Sequence, residues 1–249
     1  MLQAFLFDFN ATLIRSKTWM ELEVRGLPRR AFAYLTGYGY IAPLKSDQLA
    51  RAEAVFKAER QAANRSYRET SHIDNLRMMV EALGFQRQVP PAVIEKTVAV
   101  LQQGCVPTVE LIEGAADMLD QLQAQGYRLS IISNAAYSPF LGWTLEHVGL
   151  LHFFEQVVVS AEVGLRKPNP DIFQLTLDRM GLGPAETVYV GDDFVKDIAA
   201  AKKVGMRAMW YRPEAKADSS QDETLPDAIV THLNQIPEWG ERWREGSAG

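Results

Sequence analysis

The sequence predicts an α/β fold, a doubly wound parallel sheet carrying an inserted, mainly helical domain. Three observations predict it. Beyond residue 110, short buried-type segments rich in β-branched and aromatic residues alternate with segments of helical period. A run of four apolar residues, Ala4 to Phe7, stands near the start and breaks at Asp8. Between these, residues 15–110 read almost entirely as helix.

The elements follow in order. Ala4, Phe5, Leu6 and Phe7 suit a strand covered on both faces, and a carboxylate directly after them is costly to bury unless something pairs with it. In the long insertion, SDQLARAEAVFKAERQAAN and SHIDNLRMMVEALG are helices, with Ser46 and Ser71 as caps. A connection of this length between neighbouring strands is an inserted domain rather than a loop. The expected division is therefore a sheet core of residues 1–14 and 111–249 and a helical domain of residues 15–110. Inserted at the carboxyl ends of the strands, those helices would act as a lid where such sheets bind ligands.

YRLSIIS, QVVVSAEV, TVYVGD and RAMWY supply the later strands. In GAADMLDQLQAQG, Ala115, Met118, Leu119 and Leu122 share one helix face and Gly126 marks the stop. PDIFQLTLDRMGL starts with Pro170 after Asn169 as cap, and KDIAAAKKVG ends at Gly205. PEAKADSSQDETLPD, residues 213–227, is polar enough for a surface loop, and the final GERWREGSAG is expected to fray.

A chain of 249 residues buries a sizeable core without staples. Its net charge of −5 is mild and its basic residues are scattered, which argues against nucleic acid as a partner. No stretch approaches the roughly 20 apolar residues of a membrane span, and the first apolar run is too short for a secretory signal, so the cytoplasm is the expected location. The single cysteine, Cys105, excludes an intramolecular disulfide, and no basic neighbour adjoins it to make it a nucleophile. Composition leaves the oligomeric state open.

Residues of catalytic type stand at the strand ends: Asp8 after the first strand, Ser133 and Asn134 after the second, Asp192 and Asp193 after the fourth. Parallel strands converge their carboxyl ends on one edge, so these residues should meet in space. Asp8 would pair with the carboxylates of GDDFVKD through a hard cation, and Mg2+ fits best, since it binds through a few carboxylates, waters and a substrate phosphate. Lys167 in GLRKPNPDIF adds a positive charge at the same edge. A carboxylate nucleophile, a hydroxyl, a lysine and magnesium suit phosphoryl transfer.

DFNAT, SNA, RKPNPDIF and GDDFVKD, in that order, resemble the motif series of the haloacid dehalogenase-like hydrolases, whose phosphatases carry DxDGT at the first motif. The resemblance spans the Rossmann-like core and leaves the insertion unmatched, at the place of the family's first class of helical cap. It implies a magnesium-dependent phosphatase of a small phosphorylated metabolite, acting through an aspartyl-phosphate at Asp8. It also implies roles. Asp8, the backbone carbonyl of Asn10, and Asp192 would ligate Mg2+, with Asp193 or Asp197 completing the shell. Thr12, Ser133, Asn134 and Lys167 would hold the phosphate, with Lys167 also steadying Asp8.

Two residues depart from the pattern. Asn10 replaces the aspartate that serves as general acid and base, and a neutral amide transfers no proton near neutral pH. The expected consequence is slow or impaired turnover, least severe for substrates with good leaving groups. Ala11 stands where the family usually has Gly, and an ordinary backbone is expected there. A 2-haloacid dehalogenase-type hydrolase and a non-catalytic phospholigand-binding protein are the alternatives. In the insertion Trp19, Arg25, Arg29, Arg30, Tyr34, Arg65 and Arg68 are candidates to face a substrate, and Lys17, Lys45 and Lys57 are available for a Schiff base. His72, His147, His152 and His232 lie outside every motif and read as structural or exposed.

Overall fold

A computed structural model describes residues 1–213 and 222–245. It divides into two compact units. One holds residues 1–15, 110–134 and those from 148 onward; the other holds residues 16–109 and 135–147.

In the first unit, β1 (Ala4–Phe7) lies at the centre of a six-stranded sheet, and its four residues are fully buried. A two-stranded antiparallel ribbon, β2 (Ile14–Arg15) with β3 (Glu110–Leu111), closes the points where the chain leaves and re-enters this unit. The remaining strands are β4 (Arg128–Ser133), β5 (Gln156–Val159), β6 (Thr187–Gly191), β7 (Arg207–Tyr211) and β8 (Ala228–Val230). The order is β5-β4-β1-β6-β7-β8, and every neighbouring pair is parallel. From β1 the chain winds outward through β4 and β5, then returns to lay β6 on the other side of β1. The winding direction therefore reverses between β1 and β6, the place where sheets of this kind bind ligands.

Helices cover both faces, which is why the strands read as continuous apolar runs. On one face Leu6, Ile132, Val158, Tyr189 and Ala208 pack with Ile172, Phe173, Leu177 and Ile198. On the other, Phe5 meets Tyr127 edge to face at 4.9 Å, and the Tyr127 hydroxyl donates to the Gly240 carbonyl at 2.7 Å.

The helical unit comprises α1 (Lys17–Glu21), which runs through a wide turn at Leu22–Gly26 into α2 (Leu27–Gly37), then α3 (Ser46–Ser66), α4 (His72–Ala82) and α5 (Pro91–Gln103). The sheet unit adds α6 (Ala115–Ala124), and α7 (Pro139–His147) belongs to the helical unit. Although the sequence reading placed residues 135–147 with the sheet, Phe140 stacks on the buried Trp19 at 4.7 Å and Ala136 N–H donates to Glu23 at 3.0 Å. The sheet unit is completed by α8 (Ser160–Val163), α9 (Pro170–Met180), α10 (Ala200–Val204) and α11 (Ile236–Glu245).

Several local expectations need correction. SAEV is a helical turn closed by Gly164 in the left-handed region, not a strand end. Ser46 is the first helical residue of α3 rather than its cap, whereas Ser71 does cap α4 by accepting from Asp74 N–H at 3.0 Å. Residues 240–245 belong to α11, which is tied to the sheet unit through Tyr127 and through Arg244, which donates to the Gln125 carbonyl. Residues 246–249, and 214–221 of the expected surface loop, lie outside the described residues. No helix among the described residues is long and apolar enough to cross a membrane.

Candidate active site

The site grows from the carboxyl ends of three adjacent strands, β4, β1 and β6. Asp8 follows β1 directly, and its N–H donates to the Val190 carbonyl of β6 at 2.8 Å, so sheet pairing fixes the residue itself. The chain then turns back tightly. Leu13 and Ile14 N–H both donate to the Phe9 carbonyl, and Ala11 N–H donates to the Ile14 carbonyl at 2.7 Å. This turn forces Ala11 to φ 67°, correcting the expectation of an ordinary backbone there. An alanine in the left-handed region carries roughly 1–2 kcal/mol of strain. The turn also brings the Thr12 hydroxyl, which is fully buried, to 3.4 Å from Asp8 Oδ2.

Lys167 is the hub. Its ammonium, 2% exposed, donates at 2.7 Å to Asp8 Oδ1, to Asp197 Oδ1 and to the Tyr189 hydroxyl, which uses all three of its protons. Burial works against its charge, but the Asp197 and Asp8 carboxylates outweigh burial and hold its pKa well above the usual lysine value. Burial pushes the Tyr189 hydroxyl well up as well, and that hydroxyl donates to the Ile132 carbonyl at 3.1 Å. Both polar ends of the Asn134 side chain bond to the backbone of Lys167, Nδ2 to its carbonyl and Oδ1 from its N–H, each at 2.8 Å. Ser133, the last residue of β4, is buried beside it in the chain.

Oxygens of Asp8, Asp192 and Asp197 lie within 4.8 Å of one another. Three carboxylates here face one ammonium, an imbalance that a divalent cation neutralises, and an all-oxygen donor set of this kind suits a hard ion. Burial, with the like charge of Asp8 adding to it, pushes Asp197 up to about 7 against the opposing pull of Lys167. Local geometry places Asp193 and Asp197 differently. Asp193 caps the wide helical segment Phe194–Ala199 that leads into α10, accepting from Val195 and Lys196 N–H and pairing with the Lys196 ammonium, and these bonds hold its pKa below the usual carboxylate value against the effect of burial. Asp197, one helical turn further on and 1% exposed, turns back into the cluster.

Two members of the constellation escape a reading by motif. Tyr189 lies in the apolar run TVYVG, and its only sequence signal is a phenol that needs a partner when buried. Gly191 ends β6 against Asp197, where an added Cβ would lie 2.4 Å from the Asp197 carboxyl carbon. We expect Gly191→Ala to displace Asp197 at a cost of about 1–3 kcal/mol, read as a fall of roughly 5 °C in the melting temperature, together with weaker magnesium binding by calorimetry. An unchanged melting temperature and magnesium affinity would refute this packing.

Asn10 bridges to Ile14 in the turn, and its Oδ1 is buried without a hydrogen-bond partner. Candidates in the helical unit are dispersed. Trp19 is core; Arg29 pairs with Glu53 and Arg30 with Glu21; Tyr34 meets Tyr38 at a tilt; Arg25, Arg65, Arg68, Lys17, Lys45 and Lys57 are exposed. His72 is fully buried against Gln102 at 2.9 Å, and burial lowers its pKa, while His147, His152 and His232 are exposed.

The sequence profile of the haloacid dehalogenase-like hydrolases matches residues 49–211. Among curated relatives, a glyceraldehyde 3-phosphate phosphatase of Methanopyrus kandleri is 29% identical over 95% of this chain and 96% of its own length. Another of the same description, from Methanothermobacter thermautotrophicus, is 38% identical over 48% of this chain and 54% of its own. The chain thus aligns with only about half the length of that relative. Among solved structures, a 2-haloacid dehalogenase from Pseudomonas syringae shares the fold with a TM-score of 0.75 at 24% identity, covering 98% of this chain and 100% of that one. A phosphatase from Thermococcus onnurineus does so with a TM-score of 0.65 at 22% identity, covering 96% and 97%.

Proposed function

The chain belongs to the haloacid dehalogenase-like hydrolases, and from that premise we propose that it is a magnesium-dependent phosphatase of a small phosphate monoester, with Asp8 as nucleophile. The observation that carries the reading is the carboxylate triad of Asp8, Asp192 and Asp197 gathered around Lys167. Without a cation, such a cluster would repel itself and an incoming phosphate dianion. A dehalogenase has no use for it. The phosphatases among the relatives support the same reading.

In this reading Asp8 and Asp192 hold Mg2+ with the backbone carbonyl of Asn10, and Asp197 completes the site. The ion supplies charge neutralisation for phosphoryl oxygens. Asp8 Oδ2, the oxygen not bonded to Lys167, attacks phosphorus, while Lys167 fixes the other oxygen and neutralises the developing charge. Thr12 orients Asp8, and Ser133 contacts a phosphate oxygen. Asn134, expected to touch substrate, acts through Lys167, since both ends of its side chain grip that residue's backbone. Tyr189 positions the ammonium by accepting one of its protons.

The test is release of inorganic phosphate from a panel of small phosphate esters, beside release of halide from 2-chloro acids. Phosphate release that stops with a chelator and returns with magnesium is the expected result. Halide release that persists in chelator would establish the dehalogenase instead.

A further inference from the structure

We propose that the preferred substrate is a phosphate whose leaving group departs as a stable anion, an acyl phosphate above all, and that the aspartyl-phosphate on Asp8 outlives the step that forms it. This rests on the reading of Asp8 as nucleophile. It follows from a search of the sheet unit for a group that could carry a proton to or from the reacting atoms.

None of the described residues around Asp8 in that unit serves. Lys167 directs its three protons at Asp8, Asp197 and Tyr189. Tyr189 directs its own at the Ile132 carbonyl. Asp197 accepts at both oxygens, from Lys167 and from Asp193 N–H at 3.0 Å. Asp193 is engaged as a helix cap. Asp192 belongs to the carboxylate triad that would hold the cation. His152 and His232 lie against Phe153 and Thr231. That leaves Asn10, whose buried and unpartnered Oδ1 can accept a hydrogen bond but cannot take up the proton.

The two chemical steps respond differently to this deficit. In the first, an Asp8 oxygen forms a bond to phosphorus and the bond from phosphorus to the leaving oxygen breaks, its electron pair leaving with that oxygen. A carboxylate leaving group, with a pKa of about 4, needs no proton, and a phenolate of about 10 needs little help. An alkoxide needs a proton that none of the described residues of the sheet unit supplies. In the second, water attacks phosphorus, the bond to Asp8 breaks and its electron pair returns to the Asp8 carboxylate. No described residue of the sheet unit is placed to receive the water proton, which passes to solvent. Asn10 Oδ1 orients that water without activating it, so this step lags by the factor of about 10²–10⁴ that general base catalysis supplies.

The test is quenched-flow kinetics in magnesium with acetyl phosphate, p-nitrophenyl phosphate, phenyl phosphate and an alkyl phosphate, using the protein, Asn10→Asp and Asp8→Asn. The expected result is a burst of one leaving group per chain followed by a slow steady state, with a hydroxylamine-labile phosphoryl label on the protein. Burst rates should fall steeply from acetyl to alkyl phosphate. In Asn10→Asp the label should no longer accumulate, the steady state should rise by about 10²- to 10⁴-fold, and the dependence on leaving group should flatten. Turnover of the alkyl phosphate as fast as that of acetyl phosphate, with no accumulating label, would overturn the inference while leaving Asp8 as nucleophile, provided Asp8→Asn is inactive. The same label on Asp8→Asn, or no label and no release with any substrate in either the protein or Asn10→Asp, would overturn both.

Discussion

Replacing Asp8 by Asn lowers phosphate release by about 10⁴- to 10⁶-fold, the scale seen when a covalent nucleophile is removed, and leaves the fold intact. The substitution is nearly isosteric. An amide oxygen at position 8 can still accept from the Lys167 ammonium, and the backbone pairing to Val190 does not involve the side chain. Removing one of three clustered carboxylates also relieves repulsion, so the melting temperature should stay within a few degrees. Magnesium affinity should fall, since one anionic ligand of the triad is gone. Calorimetric magnesium titration and phosphate release on the same preparation check both statements. Activity within tenfold of the parent would mean that Asp8 only orders the strand end.

Replacing Lys167 by Met has the opposite character, a loss of stability as well as of function. Its ammonium is bonded to both Asp8 and Asp197. Removing one partner of a buried ion pair leaves the other uncompensated, typically at 3–5 kcal/mol, or roughly 10 °C in melting temperature for a chain of this size. Turnover should fall by a further 10²- to 10³-fold through lost charge stabilisation. In chelator the loss should depend on pH with a definite sign. Asp197 in the folded protein titrates above its ordinary value, at about 7 against 3.8, so protonation favours the folded state. Without Lys167 that pKa rises further. The stability deficit should therefore stay level up to about 7 and grow above it, where Asp197 ionises in the folded parent but stays protonated in the variant. Thermal melts across this range check it; a deficit that shrinks with rising pH would show that Lys167 is not the counter-charge.

Much of this site is legible in the sequence because a parallel sheet obeys a simple geometric rule. Asp8, Ser133 and Asp192 each follow or end an apolar strand, and β4, β1 and β6 are neighbours, so chain order alone brings them to one edge. The rest depends on details with no sequence pattern of their own. Asp193 and Asp197 differ in placement because the first sits at the start of a helix and is captured by two backbone N–H groups, a matter of one residue in the helix boundary. The inward turn of the Tyr189 phenol is hidden in an apolar run. The left-handed backbone at Ala11 is invisible because the residue is not glycine. Asn134 reads as a turn former or a phosphate contact, and only the path of the chain around Lys167 shows what its amide grips. In the helical unit, His72 is a core residue whose burial no spacing announces.

The most direct measurement is peptide mapping by mass spectrometry after acid quench of the protein with acetyl phosphate and magnesium. One phosphoryl group on the peptide that carries Asp8, requiring magnesium and absent from Asp8→Asn, is the expected result. A phosphoryl group on another residue, or an ester formed on Asp8 from a 2-haloacid in the presence of chelator, would contradict a magnesium-dependent aspartyl-phosphate at this site.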